Sequence, residues 1–132
     1  MGFFADEPAE VGGLGSGPTP YDLLCAGLGA CTAMTVCMYA RRKSLPLRWV
    51  RVCVGHIRTK GDTPADGFMR EVALEGGLTD EQRARLIEIA ERCPVHSTLK
   101  QGALVSTTQV VEIGGVRGVE EAGQHAQDMT VE

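Results

Sequence analysis

Hydrophobic and polar positions along this chain fall into blocks of different period. Between Asp22 and Arg41 the run LLCAGLGACTAMTVCMYA holds no ionised side chain. Thr19 ahead of Pro20 reads as an N-cap with proline at the first helical position, Asp22 suits the positive end, and Arg41, Arg42 and Lys43 suit the negative end. Together these predict a helix over residues 20–43, apolar on every side because protein surrounds it. The same run has marginal length for a bilayer span with a basic stop behind it. Its Gly27, Gly29, Thr32, Thr35 and cysteines leave only Leu23, Leu24, Leu28 and Val36 as strongly lipid-compatible, so the core-helix reading is preferred and no membrane partner is expected.

The period then changes to two. In LRWVRVCVGHIRTK, Val50, Val52 and Val54 share one face while Trp49, Arg51, Cys53 and Ile57 share the other, which predicts a strand. TPADG supplies turn residues, and FMREVALEGG reads as a second strand closing a hairpin. Thr79 and Gln82 have capping-box spacing, and Leu86, Ile89, Ala90 and Cys93 follow at helical spacing, so Cys93 faces the core. Pro94 ends that helix and opens a short one through Leu99, with Cys93 in an N-cap-like position. ALVSTTQVVEI, rich in β-branched residues, reads as a third strand, and GFFAD near the N-terminus as the tail of another. Between GFFAD and Pro20 lies a Gly/Pro-rich loop. After residue 113 the sequence is glycine-rich and acidic without a period. The expected organisation is one α+β domain over residues 1–113 and a mobile tail over 114–132.

Composition narrows the function classes. With 132 residues, 43% hydrophobic and 23% charged, the chain has the balance of one soluble globular domain. A net charge of -4, with basic residues scattered, gives no electrostatic footprint for nucleic acid. Five cysteines, none in a CxxC pair and with no secretory pattern ahead of them, predict a reducing, cytoplasmic setting.

Geometry limits what those cysteines can do. Cys25, Cys31 and Cys37 sit at six-residue intervals on one helix, about 9 Å of rise apart, beyond the ~7 Å Cα limit for a disulfide. Successive thiols also turn by about 240°, so they cannot converge on one metal. A partner for any of them must come from another element, which leaves Cys53 or Cys93. Cys93 with His96 lacks a second ligand pair, since His56 lies mid-strand and His125 in the tail; no metal and no cofactor is expected. The bland reading is that all five are small buried hydrophobes. For Cys93 the helix N-terminus and His96 favour a reactive thiolate instead. His96 is then either a cation beside Cys93 or a backbone-bonded residue of the first turn. Asp22 is either a helix-end charge or an acid.

GPTPYDLLCAGLGACTAMTVCMYARRK, followed by AERCPVHSTL, resembles the OsmC/Ohr family of organic-hydroperoxide reductases and related stress proteins, over residues 12–113. It is most similar to the branch that also occurs as a domain beside α/β-hydrolases, where CPVH is common. The resemblance implies an OsmC-like α+β fold, long central helices against antiparallel β-sheet, forming an intertwined homodimer with sites at the subunit interface. It implies that Cys31 and Cys93 are a redox pair. Cys31 would attack the peroxide, Cys93 would resolve the sulfenic acid to a disulfide, and a dithiol would reset it. The alternative is a non-catalytic redox sensor or small-ligand-binding dimer. The chain also departs from the family pattern. Tyr21, with Asp22 after it, stands where hydroperoxide-resistance members carry glutamate. The N-terminal strands are largely absent, leaving GFFAD, and the arginine they supply would need a substitute among Arg41, Arg42, Lys100 and His96.

Overall fold

Two reciprocal caps set where the long helices begin. The Thr19 hydroxyl accepts from the Asp22 N–H at 3.1 Å while the Asp22 carboxylate accepts from the Thr19 N–H at 2.9 Å, and α1 (Pro20–Arg42) starts there. Thr79 and Gln82 repeat the arrangement at 3.1 and 3.0 Å to start α2 (Asp80–Ala90). Each such cap contributes about 1 kcal/mol and fixes the register of the apolar face behind it. The computed structural model describes residues 2–112. Between the two helices, β1 (Leu47–Arg58) and β2 (Asp66–Gly76) pair antiparallel, with Val52 opposite Val72 and His56 opposite Phe68. A short α3 (Pro94–Gln101) closes the order.

The helices lie on the sheet face that carries Val50, Val52 and Val54, and α1 is held closest. Gly29 marks the contact, since a Cβ there would lie 3.4 Å from Val54 Cγ2, at ordinary van der Waals distance. Val36, Tyr39 and Ala40 of α1 then bury against Leu86, Ile89 and Ala90 of α2. A second cluster joins Leu28 and Cys31 of α1 to Cys93, with Met38, Val54, Phe68, Val95 and Leu99 around it. The α+β architecture expected from the sequence is the one found, as are the helix over residues 20–43, the hairpin, and the break at Pro94.

Three expectations change. Residues 2–8 form no strand, because Asp6 turns the segment into a tight local loop. Its carboxylate accepts from the N–H groups of Glu7, Leu14 and Ser16 and from the Ser16 hydroxyl, bonds that compete with any ladder. Residues 103–112 likewise form no strand, and Leu104, Val105 and Val111 are almost fully exposed. β-Branched composition makes a strand only when it pairs, and this segment pairs with neither outer edge of the two-stranded sheet among the described residues. Finally, α1 is not enclosed. Seven of its residues are buried, while Leu24 and Met34 remain 44% and 52% exposed. It is long and apolar enough to cross a membrane, and in this fold it packs instead on β1, α2 and α3. The expected tail at 114–132 lies outside the described residues.

Candidate functional site

Cys31 and Cys93 reach the same place from different elements. Cys31 sits on the inner face of α1, 5% exposed, and Cys93 is the fully buried N-cap of α3. Pro94, as the first residue of α3, stops the preceding helix and starts the next, so the chain turns at Cys93 (φ -56°, ψ 129°) against α1. Both are free thiols. The Cys31 thiol hydrogen-bonds the Cys93 sulfur, and the Cys31 sulfur in turn accepts from the backbone N–H of Val95 and bonds the Thr35 hydroxyl. The positive end of α3 therefore faces a sulfur carried by another helix. The macrodipole of α1 itself offers mid-helix Cys31 little, as the sequence indicates, but α3 supplies an amide that sequence spacing does not reveal.

These contacts compete with burial, and burial wins. Burial, followed by the hydrogen bond to Cys93, pushes Cys31 up to about 11, against the Val95 amide and Thr35. Cys31 therefore rests as a protonated thiol hydrogen-bonded to the Cys93 sulfur. Cys25 and Cys37 are half-buried on α1. Cys53 is exposed on the outer face of β1, contrary to the expectation that it packs inside.

Beside the pair opens a pocket of ≈ 700 Å³. Leu28, Phe68 and Leu99 form its apolar wall and also pack on the two thiols. Its polar side is Asp66, Arg70, Glu91, His96 and Lys100. Arg70 Nη1 donates to Thr32 Oγ1 at 2.9 Å, and Nη2 donates to Glu91 Oε1 at 3.1 Å and lies 3.2 Å from His96 Nδ1. A guanidinium only donates, so His96 Nδ1 accepts and the ring proton belongs on Nε2, which lies 3.6 Å from Glu91 Oε2. Of the candidate substitute cations, His96 and Lys100 reach the pocket, while Arg41 and Arg42 are exposed at the end of α1 and do not line it. Sequence reasoning missed Arg70. Its signal is parity, since on β2 it shares the inward face with Phe68, Val72 and Leu74, where a cation needs partners.

Asp22 and Tyr21 are not at the thiols. Asp22 is held below the usual carboxylate range by its bonds to Thr19, as befits a cap, and does not line the pocket. Tyr21 stacks on His56 with ring centroids 4.1 Å apart, and its hydroxyl accepts from Arg58 at 2.9 Å. Asp66 ties that group together, 2.8 Å from both His56 Nε2 and Arg58 Nε. Arg58 first and His56 second hold its carboxyl at about 2. Asp66 and Phe68 line the pocket, so Tyr21 belongs to a lock around its rim. Among the described residues no cluster of His, Cys, Asp and Glu could hold a metal ion.

Helices on one face of an antiparallel sheet, with two facing thiols from separate helices, define a small α+β protein built around a cysteine pair. The family model for OsmC-like proteins matches residues 13–108, and the chain belongs to that family. The OsmC-like protein of Mycoplasma pneumoniae shares its fold at a TM-score of 0.58 and 22% identity, over 71% of this chain and 68% of that one. An organic hydroperoxide resistance protein of Elizabethkingia anophelis does so at a TM-score of 0.56 and 23% identity, over 70% and 69%. The organic hydroperoxide resistance protein OsmC of Legionella pneumophila is 27% identical, with a TM-score of 0.50, over 72% and 71%. No curated protein matches the chain.

Proposed function

We propose that the protein is a thiol-dependent reductase of organic hydroperoxides, with Cys31 and Cys93 as its redox pair, working in the stress response of the cytoplasm. The observation that carries this reading is the hydrogen bond between the Cys31 and Cys93 side chains inside one apolar cluster, with the Val95 amide on the Cys31 sulfur. The likeness to the hydroperoxide resistance protein of Legionella pneumophila supports the substrate class. The Cys31 thiolate attacks the terminal peroxide oxygen, the O–O bond breaks, and the alkoxide leaves as the alcohol after taking a proton. The resulting sulfenic acid condenses with the Cys93 thiol, releasing water and forming the disulfide. A dithiol reductant restores both thiols by exchange and is itself oxidised.

The assembly in this proposal is a homodimer of the 1–113 domain. The exposed Leu24 and Met34 on α1, and Leu104 and Val105 beyond α3, are the apolar surface a second copy would cover. Turnover of cumene hydroperoxide with a dithiol, followed by stopped flow, tests the activity: wild type consumes many equivalents, and Cys31→Ser consumes none beyond background. Equal consumption by both would overturn it.

One observation favours a second reading, a redox sensor or small-ligand-binding dimer in which the pair oxidises once. Cys31, held up at about 11, presents little thiolate at neutral pH, which suits slow stoichiometric oxidation better than fast turnover. A sensor forms the disulfide without multiple turnovers.

A further inference from the structure

We propose that Arg70 is the positioning residue of the thiol pair: one guanidinium on β2 ties the segment that carries Cys31 to the segment that carries Cys93. This rests on the reading of the two cysteines as a redox pair and adds what holds them in register. On one side Arg70 grips Thr32, the residue after Cys31. Thr32 is fully buried, and its hydroxyl donates to the Leu28 carbonyl at 2.7 Å while accepting from Arg70 at 2.9 Å. On the other side it grips Glu91 and His96, two residues before Cys93 and three after it.

The need for such a clamp follows from where Cys93 lies. It occupies the joint between α2 and α3, where Cys93 itself is not helical and Pro94 has no N–H to donate. A joint without a continuous ladder is where one helix can swing relative to another. Arg70 spans it from a neighbouring strand, with its side chain only 10% exposed. Together with the hydrophobic cluster and the direct contacts of the Cys31 sulfur with Cys93 and Val95, these bonds set the distance between the two sulfur-bearing segments.

His96 joins the clamp as an acceptor, because Arg70 Nη2 meets a lone pair on His96 Nδ1.

The test is the equilibrium between the thiol pair and glutathione, in which two protein thiols and one glutathione disulfide give the protein disulfide and two molecules of glutathione. Alkylation trapping and peptide mass spectrometry read it. At pH 7.5, Arg70→Met should lower the equilibrium constant for the Cys31–Cys93 disulfide at least tenfold, about 30 mV for this two-electron couple. Thr32→Val, which keeps shape and removes the hydroxyl, should lower it severalfold and serves if Arg70→Met fails to fold by circular dichroism. His96→Leu, which removes the Nδ1 acceptor, should lower it severalfold, and His96→Asn, whose side-chain oxygen can replace Nδ1 as acceptor, should restore it to within twofold of wild type. Values within twofold of wild type for folded Arg70→Met, Thr32→Val and His96→Leu would overturn the proposal. Failure of wild type to form the disulfide in any glutathione buffer overturns the redox-pair reading and this inference with it. A disulfide that forms without peroxide turnover overturns the reductase alone.

Discussion

Thr35 offers the sharpest test of how this site sets the reactivity of Cys31. Its buried hydroxyl donates to the Cys31 carbonyl at 2.7 Å and also bonds the Cys31 sulfur, yet it has one proton to give. As the sulfur ionises, that proton is worth more on the thiolate than on a carbonyl already bound within the helix. Thr35→Val keeps the shape and removes the proton. The Thr35 bond ranks below the Val95 amide among the groups that favour the Cys31 thiolate, and its proton must leave the carbonyl, so the net worth is that of an ordinary hydrogen bond rather than of a bond to an ion, about 1 kcal/mol. That is roughly a fivefold loss of thiolate at neutral pH. A more basic thiolate is also a better nucleophile, with a Brønsted slope of about 0.4–0.5, so the net fall in alkylation rate is about two- to threefold. The assay is iodoacetamide alkylation of Cys31, quantified by peptide mass spectrometry from pH 7 upward in a Cys93→Ala background shared by both proteins. A rate–pH profile for Thr35→Val that superimposes on its parent would refute the role given to the hydroxyl.

Other consequences are open to direct measurement. Because burial raises Cys31 from its ordinary 9.0 to about 11, folding stability is intact below pH 9.0 and declines as pH climbs through about 11; urea midpoints across that range should fall less in Cys31→Ala. Asp66 behaves oppositely: its carboxyl is lowered from 3.8 to about 2, so its contribution is present above pH 3.8 and lost as pH falls toward 2. Asp66→Asn should lower stability at neutral pH and flatten the acid limb of unfolding. Leu86 is fully buried between α1 and α2, and Leu86→Ala should cost about 2–5 kcal/mol by urea denaturation, a loss under 1 kcal/mol contradicting its place in the core. Gly76 has φ 147°, and a Cβ there would strike the Pro46 carbonyl oxygen, so Gly76→Ala should lower the melting temperature while a surface control at Gly77→Ala does not.

What could be read from the sequence was whatever has a local cause. The caps at Thr19 and Thr79, the period-two run through Val50, Val52 and Val54, and Pro94 after Cys93 each act within a few residues, and the elements they predict are present. The over-read strands had local propensity but found no pairing partner. GFFAD was claimed by Asp6, and residues 103–112 pair with neither outer edge of the β1–β2 hairpin. Within the site, elimination on α1 left Cys31 a partner in either Cys53 or Cys93, and tertiary packing brings Cys93 to it and leaves Cys53 outside. Arg70 and the Val95 amide escaped notice because their partners, Thr32 and Cys31, lie on a different element far along the chain. Tyr21 and Asp22 were singled out by position in a motif. The structure gives one to a rim lock with His56 and the other to a cap.

The central claim is that Cys31 and Cys93 act as one redox unit toward an organic peroxide. Peptide mapping by mass spectrometry after a single equivalent of cumene hydroperoxide tests it most directly. The account predicts a Cys31–Cys93 linked peptide as the main product, with a trappable Cys31 sulfenic acid when Cys93 is replaced by serine. Oxidation confined to exposed Cys53, with Cys31 and Cys93 recovered as free thiols, would contradict it.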